Sequence, residues 1–186
     1  MSDPAYKAMS VEEYLRTEEL SPYKREYVGG FVYPLHGQAG ASEGHVLISG
    51  NIFGSLWAAA RRAGCRLYMS DMKLFVGAGN TFFYPDLMAV CDPTDTEKYS
   101  KSSPCLLVEV LSPSTAAHDR VGKYGMYTAI PSLQTYLIVE QEERRVYAYT
   151  RRGQTWALAE LSGQGEVRVA CLGHTLTLDD IYAGVL

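Results

Sequence analysis

At 186 residues, 47% hydrophobic and 20% charged, the chain holds enough apolar matter for one sizeable core and is too hydrophobic to stay disordered. Its net charge of −4 excludes a surface that is basic all over and clings to nucleic acid, while leaving room for a local groove. The longest apolar runs fall short of a membrane span and the opening MSDPAYKAMSVEEY carries no signal-peptide core, so a cytoplasmic protein with no membrane partner is expected.

The capping box Ser10–Glu13 starts a short helix in SVEEYLRTEE. KREYVGGFVYPL is two short runs split by Gly29-Gly30, a hairpin signal. After a Gly/Ala/Ser loop at 37–42, Ser42 can cap a long helix reaching about Gly64, with Val46, Ser49, Ile52, Phe53, Leu56, Trp57 and Ala60 at helical spacing. Strands are expected at 65–69, 72–77 and 82–91, then a polar loop at 92–103 and a strand at 105–111. A turn and a helix of roughly 115–129 follow, stopped by Pro131, and then strands at 134–140, 144–150, 155–161 and 167–173. Thr177 and Asp180 can cap a small closing helix.

The strand–helix–strand passage 105–140 is a natural crossover that sets two strands parallel. The expected fold class is therefore α/β (α+β): a single domain over 1–186, built on one mixed twisted sheet flanked by helices. Cys65, Cys91, Cys105 and Cys171 are widely spaced, without a CxxC pair. Three lie in or beside apolar segments, so buried thiols are expected in preference to a zinc site or disulfides. The pairs Arg61-Arg62, Arg144-Arg145 and Arg151-Arg152 read as solvated ends of helices and hairpins.

Two acids stand out. Glu109 interrupts the apolar run Leu106, Leu107, Val108, Val110, Leu111, and Asp86 precedes Leu87, Met88, Ala89 and Val90. A carboxylate in such a strand costs several kcal/mol unless it is paired or reaches water. Each acid alone reads as an edge residue or the partner of a basic group. If the two strands pair, alternation lets both point to one spot. Like charges at that range repel unless a cation sits between them, and a hard divalent ion fits, with room left for a phosphate.

Asp119, Lys123 and Tyr127 share one face of the next helix. Asp119–Lys123 reads as a surface ion pair, or else Lys123 reaches back towards Glu109 to hold an attacking water or stabilise developing charge. Lys73 is a second choice of lysine, expected as an exposed strand residue. His118 is expected to be solvated, and Tyr124 and Tyr127 to be packing residues.

YPDLMAV, then LLVEVLSPST, DRVGKYGMY and LQTYLIVE, together resemble the Uma endonuclease family of the PD-(D/E)XK restriction-endonuclease-like superfamily. The resemblance covers nearly the whole chain. It implies a restriction-endonuclease-like mixed sheet with a divalent metal, Mg²⁺ or Mn²⁺, at its edge. Asp86 and Glu109 match the family's acids, and the Val110 carbonyl completes the shell. The superfamily lysine two places after the second acid is missing, since Leu111 stands there, and Lys123 takes its part. Glu26 matches a family acid that touches the metal or orients Lys123; the alternative is a cross-strand partner of Lys24 or an Arg. His45 matches a recurrent histidine that can bond a phosphate or a water on the ion; the alternative is a polar residue at a helix start.

The expected activity is metal-dependent endonuclease cleavage of nucleic acid, with DNA as the expected substrate and a homodimer as the expected assembly. The alternatives are a binding or assembly module that keeps the fold without turnover, and a hydrolase of a small phosphorylated substrate.

Overall fold

The computed structural model describes residues 8–35, 41–111 and 122–186. Helix α1 (Val11–Glu18) starts where the Ser10 side chain accepts from the Glu13 N–H, and it buries Tyr14. Strands β1 (Arg25–Val28) and β2 (Phe31–Pro34) form the expected hairpin. Its two-residue turn puts Gly29 at φ 57° and Gly30 at φ 95°, a conformation that side chains resist. Ser42 caps α2 (Glu43–Arg62). The buried stripe of α2 is Ile48, Ser49, Ile52, Leu56, Ala59 and Ala60, whereas Val46 and Trp57 face solvent.

The expected strand 82–91 is two strands. β5 (Thr81–Phe83) pairs with β1 and with β4 (Lys73–Val76), while β6 (Leu87–Val90) pairs with β3 (Arg66–Met69) and β8 (Pro104–Val110). Pro85 explains the break. It has no N–H for a ladder and restricts the residue before it, so the chain changes sheets at Tyr84–Asp86.

Among the described residues the single expected sheet is accordingly replaced by three. A five-stranded sheet runs β2-β1-β5-β4-β7, its edge being β7 (Ser100–Lys101) from the stretch expected to be loop. A six-stranded sheet runs β11-β10-β9-β8-β6-β3, adding β9 (Thr135–Val139), β10 (Arg145–Arg152) and β11 (Thr155–Ser162). A two-stranded ribbon joins β12 (Glu166–Val169) to β13 (His174–Thr177), which leads into α4 (Leu178–Tyr182), capped by Thr177 and Asp180. β8 and β9 are parallel, as the crossover requires. Of the expected helix 115–129, α3 (Tyr124–Thr128) is described; His118 and Asp119, and with them the Asp119–Lys123 pair, lie outside the described residues.

Strand alternation in β6 and β8 separates the two larger of the three described core clusters. Leu87, Ala89, Leu106, Val108 and Val110 pack with α2, α4 and the ribbon. Met88, Val90, Leu107 and Leu111 pack with Tyr127 of α3 and with Leu74, Val76 and Phe83 of the five-stranded sheet. The seam between the two larger sheets and α3 is where the acids lie.

Three further expectations are corrected. Lys73 is buried, its ammonium 5.9 Å from the centre of the Tyr84 ring, on a strand flanked by β5 and β7. Arg151 is no solvated end. It donates from Nε to the Leu133 carbonyl (2.7 Å) and from Nη2 to the Ile130 (2.7 Å) and Thr128 (3.2 Å) carbonyls, holding the C-terminus of α3. The cysteines are not separate thiols: Cys65 is bonded to Cys91 and Cys105 to Cys171, since β3, β6 and β8 bring distant positions to one end of the sheet. No described helix is long and apolar enough to cross a membrane.

Candidate active site

β6 and β8 pair antiparallel with Leu87 opposite Val108 and Met88 opposite Leu107. Carried one step further, that register sets Asp86 opposite Glu109, on the face that also carries Met88 and Leu107. Asp86 lies in the bend before β6, and its Oδ2 accepts from the Val110 N–H at 2.7 Å. Its Oδ1 lies 3.2 Å from His45 Nε2.

His45 is placed by the first turn of α2, where its own N–H donates to the Ser42 Oγ. Its pKa is raised, first by the hydrogen bond to Asp86. Partial burial opposes this; the Asp86 charge and a hydrogen bond to the Val110 backbone add to it. A backbone bond that favours the protonated ring is one to a carbonyl. Asp86 and the Val110 backbone thus both favour the protonated ring.

Glu109 is buried in a strand whose seven residues are all buried. Its Oε1 accepts from Lys123 Nζ at 3.2 Å and from the Tyr127 hydroxyl at 2.7 Å. Lys123, 4% exposed, is also 3.2 Å from Glu26 Oε1 and lies over the Phe83 ring. Glu26 in turn accepts from the Tyr84 N–H (3.4 Å) at the chain's crossing between sheets. Lys24 pairs with Asp71 and Arg25 with Glu18, so neither occupies Glu26. Two linked groups result: His45–Asp86–Val110, and Glu26–Lys123–Glu109–Tyr127. They meet at residues 109–110 and again at 84–86.

Tyr127, expected as packing, is fully buried and bonded to the acid. Burial and then the Glu109 charge push its pKa well above the ordinary value, so the phenol stays a donor. The sequence signal was its place four residues beyond Lys123 on the same helical face. Tyr127→Phe removes one hydrogen bond to a buried charge and should cost about 1.5–3 kcal/mol in urea unfolding. A loss below about 0.5 kcal/mol would mean that the bond contributes little.

Among the described residues, Glu26 and Glu109 flank the Lys123 ammonium, and Asp86 holds a histidine drawn towards protonation. Such oxygen donors suit a hard divalent ion. Among the described residues no three of the site's acids and histidine have ligand atoms that all lie within 4.8 Å of one another. A third protein oxygen would then come from the Val110 carbonyl.

Mixed twisted sheets, with parallel β8 and β9 among antiparallel strands and helices packed against them, make this a restriction-endonuclease-like fold. A crystal structure from Anabaena variabilis, described as "a putative nuclease belonging to DUF820", superposes with a TM-score of 0.72 at 14% identity, covering 96% of this chain and 99% of that one. The chain belongs to the Uma2 family, described as "Putative restriction endonuclease", whose model matches residues 11–179. Two relatives come from Synechocystis sp. The uncharacterized protein sll1609 is 35% identical over 162 residues, 85% of this chain and 90% of that protein. The uncharacterized protein slr1290 is 31% identical over 182 residues, 97% of this chain and 94% of that protein. Families of this fold generally use divalent metals.

Proposed function

We propose that the chain is a divalent-metal-dependent endonuclease acting on nucleic acid, with DNA as the substrate. The observation that carries this reading is the register that sets Asp86 opposite Glu109, with the Val110 backbone bonded to Asp86. Asp86, Glu109 and the Val110 carbonyl would hold Mg²⁺ or Mn²⁺. When bound, such an ion supplies Lewis acidity towards the phosphate and activates a water.

The chain's own residues do the rest. Lys123, held between Glu26 and Glu109, keeps a fixed positive charge beside the second acid, where the developing charge of phosphoryl transfer is stabilised. Tyr127 fixes the Glu109 carboxylate from the other side. His45, about a quarter exposed and held on Asp86, would orient that carboxylate and, when protonated, bring positive charge to the phosphate's side of the site. Preorganisation of this kind is what phosphoryl transfer asks of a protein, since little covalent chemistry falls to the side chains.

A homodimer would let two such sites cut both strands, and sedimentation of the chain with and without a duplex tests that assembly. The activity is tested by incubating the full chain with supercoiled, linear and single-stranded DNA and with RNA, in Mg²⁺, Mn²⁺ and chelator. Ion-dependent internal cleavage of DNA supports the reading. Binding of ion and DNA with no cleavage of any form would favour a module without turnover. Turnover confined to small phosphate esters would favour the small-substrate hydrolase.

A further inference from the structure

Cys65 directly precedes β3, Cys91 directly follows β6, Cys105 opens β8, and Cys171 lies in the short helical turn Ala170–Leu172 between β12 and β13. These four positions share no sequence motif, yet three of their sulfurs form one group and the fourth is bonded to one of the three. The Sγ atoms of Cys91, Cys105 and Cys171 all lie within 4.8 Å of one another, and Cys65 is bonded to Cys91. We propose that in the reduced chain Cys65, Cys91, Cys105 and Cys171 form a tetrathiolate site for one zinc ion.

The contact between the two bonded pairs distinguishes this from a pair of independent disulfides. Cys91 Sγ lies 3.4 Å from Cys105 Sγ, although each is bonded to another cysteine. A disulfide has no need of a third sulfur in contact with it. A tetrahedral zinc site does, since Zn–S bonds of about 2.3 Å put the sulfurs roughly 3.8 Å apart.

The donors are all sulfur, without a carboxylate or imidazole among them, and soft thiolates in a tetrahedral set select zinc or an iron–sulfur centre over the hard ions suited to Asp86 and Glu109. Arg66, next to Cys65, donates to the Asp92 carbonyl (2.7 Å) beside Cys91, so a cation stands by the net negative charge of a zinc tetrathiolate. Cys65 and Cys105 are buried and the other two are half-buried. Four protein ligands leave no open position, so the ion's part is structural. It ties the β12–β13 ribbon to the six-stranded sheet, at the ends of β6 and β8 remote from the acids. Four residues of strand, about 13 Å at 3.3 Å each, separate Cys105 from Glu109. The site therefore stands or falls apart from the nuclease reading.

The test uses the full chain purified with a phosphine reductant and without chelator, in the wild-type form and as Asp86→Asn, so that an ion at the carboxylates is not counted. Elemental analysis should give one zinc per chain in both. Thiol titration after denaturation with chelator should give four thiols. Cobalt substitution should produce the visible bands and the sulfur-to-metal charge transfer of a tetrahedral tetrathiolate. Cys171→Ser, at the half-buried position, should lower zinc content at least ten-fold. Wild-type stoichiometry and the cobalt spectrum decide the matter if that variant misfolds. Four free thiols without zinc, two disulfides that survive the reductant, or iron in place of zinc would each overturn the proposal.

Discussion

Asp86→Asn is expected to lower ion-dependent cleavage at least ~10³-fold while the chain stays folded. A factor of that size corresponds to about 4 kcal/mol of transition-state stabilisation, within what an ion on a phosphoryl group supplies. The fold should survive because asparagine keeps a carbonyl oxygen to accept from the Val110 N–H, the bond that closes the bend onto β8. What is lost is the charge that draws His45 and would draw a metal. The measurements are the cleavage rate in Mg²⁺ and Mn²⁺, with circular dichroism and thermal unfolding beside them. Cleavage within two-fold of wild type would remove Asp86 from the chemistry.

Replacing Lys123 by methionine should act on stability first. Its ammonium is buried and lies 3.2 Å from each of two buried carboxylates, Glu26 and Glu109. Breaking a buried pair from one side leaves uncompensated charge and costs about 3–5 kcal/mol. Tyr127 still donates to Glu109 in the variant, which puts the expected loss at the lower end of that range. Adding Glu26→Gln and Glu109→Gln removes the stranded charges and should recover most of the loss, because a neutral buried cluster costs less than a half-ionised one. Urea denaturation of the single and triple variants measures both steps. A single-variant loss under about 1 kcal/mol, or no recovery in the triple variant, would mean that Lys123 does not hold this cluster together.

These two residues also mark how far the sequence could be read. Local chemistry was legible: Ser10, Ser42 and the Thr177–Asp180 box cap helices where side-chain oxygens meet orphan N–H groups, and Gly29-Gly30 turns the hairpin. Alternation put Asp86 with Met88 and Glu109 with Leu107, and the antiparallel register sets the two acids opposite each other. The switch of sheets at Pro85 is harder to see, because the run from Phe82 to Cys91 is apolar but for Asp86 and periodicity does not say which neighbour each half pairs with. The expectation of one sheet failed there. Lys73 and Arg151 were misread for a related reason. Their burial comes from elements far away in the chain, and a long cation looks solvated until something covers it. Tyr127 could not be told from a packing aromatic without the acid beside it. The cysteines are the extreme case, since only the assembled sheet brings together positions 26 and 66 residues apart.

The most direct measurement is a crystal of the chain soaked in Mn²⁺ and recorded at the manganese absorption edge. An anomalous peak touching the carboxylates of Asp86 and Glu109 and the carbonyl of Val110, and gone from the Asp86→Asn crystal, is the expected result. A fully soaked crystal with no peak between those two strands, or with manganese bound only elsewhere, would contradict the account.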